Sequence, residues 1–422
     1  MNSLKTLGAL VAGVILLAAF YGAAFKNDSF SANIETDDGE GVRQVVHGDR
    51  GEFSLNRDGL KIKASWRGDY ELSEDGEDIA SLDKKLEISR EEGGHSERAV
   101  FERDGDGVDR SYYLDGDKQG DTAETQEAIR GLLAAFLGAS GVKAEERTAI
   151  LLRRGGPDAV ISEIGAVYGD HARQRYTAEL TEQADLSGDQ LRALLEALKA
   201  IDSDHDMRMA LGAILENETI TPDATPVILE TAGRIESDYD LRRLIETIAE
   251  KPMSPEAVKL AIKMIGRIDN DHNLRRAAEA LLEQDSLTPA MAAEIIDLAA
   301  DRLDSDHDMR LLLGETAPYL AADGDAATAW VAALGAVDSD HDKRLALSDA
   351  ANEEGLSDDV MRKLIEATEK IESDSDRRLA LETFASRAKT TPALLEAYET
   401  AARGISSDSE RDRALDAAGL ED

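Results

Sequence analysis

The sequence predicts a mixed fold with an N-terminal transmembrane helix, a small antiparallel β domain, and an α-solenoid of helical-hairpin repeats of about 34 residues each. Three observations lead to this fold class. An uncharged stretch of 19 residues, Leu7 to Phe25, lies near the amino terminus. Apolar and polar residues then alternate. A short polar motif returns at nearly fixed spacing through the rest of the 422-residue chain. The predicted segments are a membrane anchor or signal (1–26), an acidic linker (27–50), the β domain (51–120) and the repeats (122–422).

The stretch from Leu7 to Phe25 would form a helix about 28 Å long, close to the hydrocarbon thickness of a bilayer. Lys5 precedes it and an acidic region follows, which predicts that the amino terminus lies inside. We therefore expect a single-pass protein of the inner or cytoplasmic membrane, with its C-terminal bulk outside the cytoplasm. In the alternative, the small residues Gly22, Ala23 and Ala24 form a cleavage site, and loss of the signal releases a secreted or periplasmic protein.

The composition excludes several classes of function. A formal net charge of −39 makes nucleic acid a poor partner, because phosphate recognition requires basic surface. Anionic lipid headgroups are disfavoured for the same reason. The absence of cysteine excludes disulfides and thiolate chemistry. Because the sequence lacks a GxSxG elbow, a Walker loop, a dinucleotide fingerprint and HExxH, we predict neither an enzyme nor a cofactor.

The segment 51–120 reads as a small antiparallel sheet. Leu60, Ile62, Ala64 and Trp66 alternate with polar residues, which places the apolar set on one face of a strand. Asp58-Gly59 predicts a hairpin turn before this strand, because such a turn requires positive φ. A second hairpin is predicted between residues 99–101 and 111–114, with short strands at 79–82 and 86–88.

The repeats are defined by the sequence IDSDHDMR, residues 201–208. Recognisable copies follow it, each beginning with an apolar residue 33 to 35 positions after the last. Each unit carries two helical patterns, and serine or threonine followed by proline marks several helix starts. One helix pair buries too little surface alone, so neighbouring pairs must stack. The copies begin at Ile235, Ile268, Leu303, Val337 and Ile371, with a frayed copy at Ile405 and a degenerate one at Val167.

This pattern resembles the HEAT-like α-solenoids over roughly the last 250 to 300 residues. Tetratricopeptide repeats have the same period, but they place large aromatic residues at set points, and these units lack them. The whole layout is similar to the periplasmic portions of bacterial sensor-type membrane proteins, a resemblance that implies sensing or scaffolding outside the cytoplasm. The HExxH motif of the peptidase members is absent, so protease activity is not implied.

The repeated motif predicts a helix cap and a charge ladder. Ser203 stands three residues before Asp206, so its hydroxyl can cap a helix while Asp206 reaches back to the cap amide. Arg208 and its copies would meet carboxylates of their own or the adjacent turn. If this edge binds a partner, an envelope protein or peptide is expected. The candidate binding residues are Asp204, Arg208, Asp238, Arg242, Asp271, Arg275, Asp306, Arg310, Asp340 and Arg344.

Two alternatives concern ligands of the same turns. Alternating aspartates suit a calcium-like cation, although Met207 occupies the position where an EF-hand requires glycine. The candidate metal ligands are Asp202, Asp204, Asp206, Asp304, Asp306, Asp308, Asp338, Asp340 and Asp342. In the second alternative, protonation of the histidines in these turns would make the array respond to pH. These histidines are His171, His205, His272, His307 and His341.

Overall fold

The computed structural model describes residues 29–35, 41–47, 49–218, 221–321 and 324–420, with β1 (29–35) described by its backbone alone. The predicted anchor, Leu7 to Phe25, lies outside these residues. Within the described part of the chain, no helix is both long and apolar enough to cross a membrane. The chain divides into two compact units, residues 1–220 and 221–422.

The first unit contains an antiparallel sheet of eight described strands in the order β1-β2-β3-β4-β7-β8-β9-β10. A separate two-stranded sheet, β5 with β6, is inserted after β4. The strands are β1 (Ser29–Glu35), β2 (Gly41–His47), β3 (Arg50–Arg57), β4 (Leu60–Arg67), β5 (Tyr70–Leu72), β6 (Ile79–Leu82), β7 (Lys85–Glu92), β8 (His95–Asp104), β9 (Gly107–Leu114) and β10 (Asp117–Lys118).

Both predicted hairpins are confirmed. Asp58 and Gly59 join β3 to β4 with φ values of 52° and 79°, the left-handed conformation that such a turn requires. Gly105 and Asp106 join β8 to β9. The predicted acidic linker, 27–50, is a different matter, because it contains β1 and β2, which pair with each other and with β3. The acidic residues between and around these strands obscured them, although Phe30, Ala32 and Ile34 alternate with polar residues in the sequence.

Helix α1 (Ala123–Ser140) covers one face of the large sheet. Its N-cap is Thr122, and Ile129, Leu132, Leu133 and Phe136 are buried among the inward residues of the strands. The Phe136 ring lies 5.9 Å from the rings of both Phe53 and Trp66. We predicted that this helix begins the repeat array, but its apolar stripe completes the core of the sheet. The helix-free face of the sheet is left polar.

The other described helices follow in pairs. The first unit holds α2 (Ala144–Ala166), α3 (Asp170–Gln183), α4 (Gly188–Leu198) and α5 (Asp204–Glu216). The second unit holds α6 (Thr225–Ala232), α7 (Asp238–Ala249), α8 (Pro255–Ile265), α9 (Asp271–Leu282), α10 (Pro289–Arg302), α11 (Asp306–Thr316), α12 (Gly324–Leu334), α13 (Asp340–Ala351), α14 (Asp358–Ala367), α15 (Asp374–Ala388), α16 (Pro392–Arg403) and α17 (Asp408–Ala418). Short 3₁₀ turns precede α6 and follow α11 and α14.

The predicted helix starts are confirmed at Ser254, Thr288 and Thr391, whose side chains cap α8, α10 and α16 ahead of a proline. Thr221 instead precedes the 3₁₀ turn before α6. Helix α2 has a break directly before Pro157. There α2 runs on past Gly156, whose φ of 68° interrupts its helical geometry. A proline is tolerated at this point because the break removes the preceding helical turn.

Helices of the second unit form two layers. In the first layer α6, α8, α10, α12, α14 and α16 each pack on the next, and in the second layer α7, α9, α11, α13, α15 and α17 do the same. Helices of the same layer therefore recur one repeat apart in the sequence. Their facing residues are leucine, isoleucine and many alanines, and these are almost fully buried. This part of the chain is a helical repeat array.

Candidate functional site: the repeated turns and the leucine row

The second-layer helices α7, α9, α11, α13 and α15 each begin with a capping side chain, as the sequence predicted, whereas Ser407 at the start of α17 makes no such bond. Ser339 Oγ accepts a hydrogen bond from the Asp342 amide at 3.2 Å, and Asn270 Oδ1 accepts one from the Asn273 amide at 3.0 Å. These bonds satisfy an amide of the first turn that has no partner within the helix. The same cap is present at Ser203, Ser237, Ser305 and Ser373.

The aspartate directly after the cap links one repeat to the next. The Asp306 carboxylate accepts hydrogen bonds from the amides of Asp338 and Ser339, one repeat later, at 2.9 and 2.8 Å. The cap amide is therefore bonded by the preceding repeat. The predicted bond of Asp206 to the Ser203 amide is wrong, because Asp170 accepts from that amide at 3.0 Å, while Asp206 is bonded to the Ser203 hydroxyl instead. The same link is made by Asp238, Asp271, Asp340 and Asp374.

The repeated arginine forms the predicted ladder. Arg275 Nε lies 2.7 Å from the Asp308 carboxylate of the next repeat, and the residue is only 9% exposed. Arg344 is bonded to Asp376 at 2.9 Å in the same way. Several of these arginines also bond a glutamate one turn further along their own helix. Arg378 bonds Glu410 and Glu382, Arg242 bonds Glu246, Arg275 bonds Glu279, and Arg310 lies 3.9 Å from Asp342.

Two carboxyl groups of these turns, those of Asp308 and Asp206, have a lowered pKa. Burial by itself would raise the pKa of Asp308, but the Arg275 guanidinium and the Ser305 hydroxyl hold that pKa below its usual value. Burial likewise opposes ionisation of Asp206, and the His171 side chain, with Nδ1 3.6 Å away, contributes to a lowered pKa. Asp206 and Asp308, each the third residue of its helix, are thus stabilised as carboxylates.

The histidines take part in the same network. Nδ1 of His272 lies 3.2 Å from Arg275, and Nδ1 of His341 lies 3.0 Å from Arg344. The guanidinium can only donate, so each of these ring nitrogens accepts. His205 has the same relation to Arg208 at 3.1 Å.

The aspartates that were predicted to share a metal ion do not converge on one site. In the first turn Asp202 is bonded to Arg57 of the β3-β4 hairpin at 2.8 Å, while Asp206 lies beside His171. In the later turns the second aspartate bonds the next repeat and the third belongs to the ladder. Across the described ranges, no three histidine, aspartate or glutamate side chains are grouped so that they could hold a metal ion. The turns therefore bring these carboxylates to backbone amides and arginines.

The structure also reveals an apolar row that the motif did not suggest. Leu311, Leu345 and Leu379 occupy the sixth residue of α11, α13 and α15, outside the buried stripe, and Leu379 is 38% exposed. Because these helices pack side by side, the three leucines recur at the helix spacing, about 10 Å apart. In α7 and α9 the same position holds Arg243 and Arg276. We call Leu311, Leu345 and Leu379 the leucine row.

The leucine row was not predicted because the repeated motif was defined as ending at the arginine, one residue before the leucine. The signal was present: leucine follows the arginine directly in three consecutive repeats. Comparisons with protein-family models, with curated proteins and with solved structures found no match to this chain.

Proposed function

We propose that this chain is a membrane-tethered, extracytoplasmic interaction scaffold that binds another envelope protein or peptide through its helical repeats. In this proposal the array is an α-solenoid of the HEAT-like kind, Leu7 to Phe25 is the tether, and no catalytic step is involved. The observation that carries it is the leucine row, in which an exposed leucine and two half-buried leucines recur at one position of three consecutive repeats, outside the buried stripe of their helices.

The repeated turns support the scaffold as its frame. Their aspartates and arginines are bonded from repeat to repeat, so a partner that contacted them would have to replace bonds already made. The leucine row carries no such cost. A partner with apolar side chains about 10 Å apart on one face would match it, which is a spacing of about seven residues in a helix.

Capture of partners from the cells that make the protein tests the proposal. The parent chain is compared with Leu345→Gln/Leu379→Gln, and the matched control is Leu260→Gln/Leu298→Gln, which changes two half-buried leucines of first-layer helices. We expect one envelope protein to be retained by the parent and the control, and to be depleted about tenfold by the leucine-row variant, equivalent to roughly 1.4 kcal/mol of binding free energy.

Equal capture by all three chains, once equal melting temperatures establish that each is folded, would contradict the assignment to the leucine row. The predicted alternative, a calcium-binding protein, has no comparable feature in its favour. Calorimetry with calcium on the same full chain tests it independently of any partner.

A further inference from the structure

The helix-free face of the large sheet carries an excess of positive charge on β2, β3 and β4. Phe53, Leu55, Ile62 and Ala64 point to α1, so the residues that alternate with them point away from it. One of these outward residues is acidic, Glu52. The cations among them are Arg43, Arg50, Lys61, Lys63 and Arg67, which we call the cationic face.

The fold does not use most of these charges. Arg50 lies directly opposite Arg67 in the β3-β4 register, and like charges so placed destabilise a sheet. Lys61 is 3.9 Å from Glu91. Within the described residues, the side chains of Arg43, Arg50, Lys63 and Arg67 make no hydrogen bond or ion pair. The opposed arginines cost stability, and no ion pair among the described residues offsets that cost.

The other half of the same face is different. On β7 and β8, Lys85 pairs with Glu87 at 3.0 Å and with Glu102 at 3.6 Å, and Arg98 lies 3.4 Å from Glu87. Arg98 also lies over the Tyr113 ring at 4.1 Å. Among the described residues, positive charge without an ion pair on this face is therefore concentrated on β2, β3 and β4, with Lys118 of β10 as a further case.

We propose that the cationic face binds the anionic lipid headgroups of the membrane in which Leu7 to Phe25 is inserted. The inference rests on the tether of the proposed function. Phe25 and Gly41, the first residue of β2, are 16 positions apart in the sequence, so even a fully extended segment keeps β2 within roughly 55 Å of the anchor. Arginine and lysine side chains bind lipid phosphates as charge-assisted donors.

The net charge of the whole chain disfavours binding to anionic lipid, but a net charge does not show the local excess of positive charge on this face. Charges on exposed surfaces interact weakly beyond a Debye length, about 8 Å at physiological ionic strength. The five cations therefore govern the potential next to this face together with Glu52 and with Glu87 and Glu91 of the adjacent β7. A headgroup contact would orient the β domain on the bilayer.

The test uses the full chain in phosphatidylcholine vesicles with and without added phosphatidylglycerol. Because the chain lacks cysteine, Ser65→Cys places a single dye on the cationic face, and Ala134→Cys places it on α1, which covers the opposite face. Energy transfer to a labelled lipid reports the distance to the bilayer. We expect phosphatidylglycerol to increase transfer at least twofold from Ser65→Cys but not from Ala134→Cys, and salt to abolish the increase.

Adding Arg50→Gln/Arg67→Gln to the Ser65→Cys chain should remove the increase, whereas Arg192→Gln/Lys199→Gln, with the same charge change on α4, should keep it. Equal transfer with both lipid mixtures would overturn the proposal. So would binding of poly-L-glutamate that requires Arg50 and Arg67 while transfer is unchanged, because the face would then accept an acidic polypeptide. Flotation with phosphatidylcholine vesicles alone tests the tether separately. A failure of the tether can therefore be distinguished from a failure of the cationic face to bind headgroups.

Discussion

The repeated turns and the cationic face are both densely charged, but they use their charges in opposite ways. In the turns, aspartates and arginines meet across successive repeats, and each carboxylate satisfies backbone amides or a guanidinium. On β2 to β4, Arg50 and Arg67 stand opposite each other, and Arg43 and Lys63 flank Ser54, without an ion pair in the described residues; Lys61 lies 3.9 Å from Glu91. A repeated charge pattern therefore indicates a structural role when its members bond each other. Charge left unpaired by the fold is the better guide to a ligand.

The largest expected effect on stability comes from removing the hydrogen bonds that link one repeat to the next. Asp340→Ala would leave the amides of Glu372 and Ser373 without their acceptor and remove a negative charge from a helix N-terminus. We expect the free energy of unfolding to fall by about 2 kcal/mol, measured by urea unfolding. Asp338→Ala, in the same turn but exposed, should change it by less than about 0.5 kcal/mol. Equal losses would contradict the framework role of Asp340.

The second prediction concerns the arginine ladder. A double-mutant cycle between Arg344 and Asp376 should give a coupling energy of about 1 kcal/mol, because both side chains are largely buried and hydrogen-bonded. The exposed pair Arg362 and Asp359 serves as the control, with an expected coupling below about 0.5 kcal/mol. If the coupling energy of Arg344 and Asp376 is no larger than that of the control pair, the ladder contributes no more to stability than an exposed ion pair does.

The third prediction follows from the lowered pKa of Asp308. Because its pKa is lower in the folded chain than the ordinary 3.8, its ionisation stabilises the fold above that value, and this stability is lost as the pH falls through the lower folded value. Arg275→Gln removes the main cation and leaves the burial, so the loss of stability should begin at higher pH. Urea midpoints between pH 6 and pH 3 measure the shift.

Arg276→Gln is the control for this titration, because Arg276 bonds Glu279 and is about half exposed. Its pH profile should follow that of the parent. If Arg275→Gln also follows the parent, then Arg275 does not set the acidity of Asp308.

The sequence predicted much of the architecture because its signals were local. The hairpin at Asp58-Gly59, the caps at Ser203 and its copies, and the repeat period all depend on residues close together in the chain. The partner of Asp306 could not be predicted in this way, since the amides it bonds belong to the next repeat. Nor could the position of α1, whose apolar stripe fits a sheet as well as a helical layer.

The candidate site was the least predictable part. The motif drew attention to Asp204, Arg208 and their copies, whose repetition reflects a bond that every repeat makes. Leu345 and Leu379 could have been found by asking which apolar residues fall outside the buried stripe. The cationic face could not, because Arg50 and Arg67 become neighbours only through the strand register, and net charge averages them away.

The smallest expected effect has the opposite sign to the others. Arg50→Gln/Arg67→Gln removes a like-charged cross-strand pair, so the sheet should gain roughly 0.2–1 kcal/mol of unfolding free energy at low salt. The gain should shrink as salt screens the repulsion in the parent. Removal of charge would thus stabilise the sheet and destabilise the turns in one molecule. If the variant instead loses stability at every salt concentration, these arginines make contacts that hold the sheet together. They would then belong to the framework, as the turn residues do.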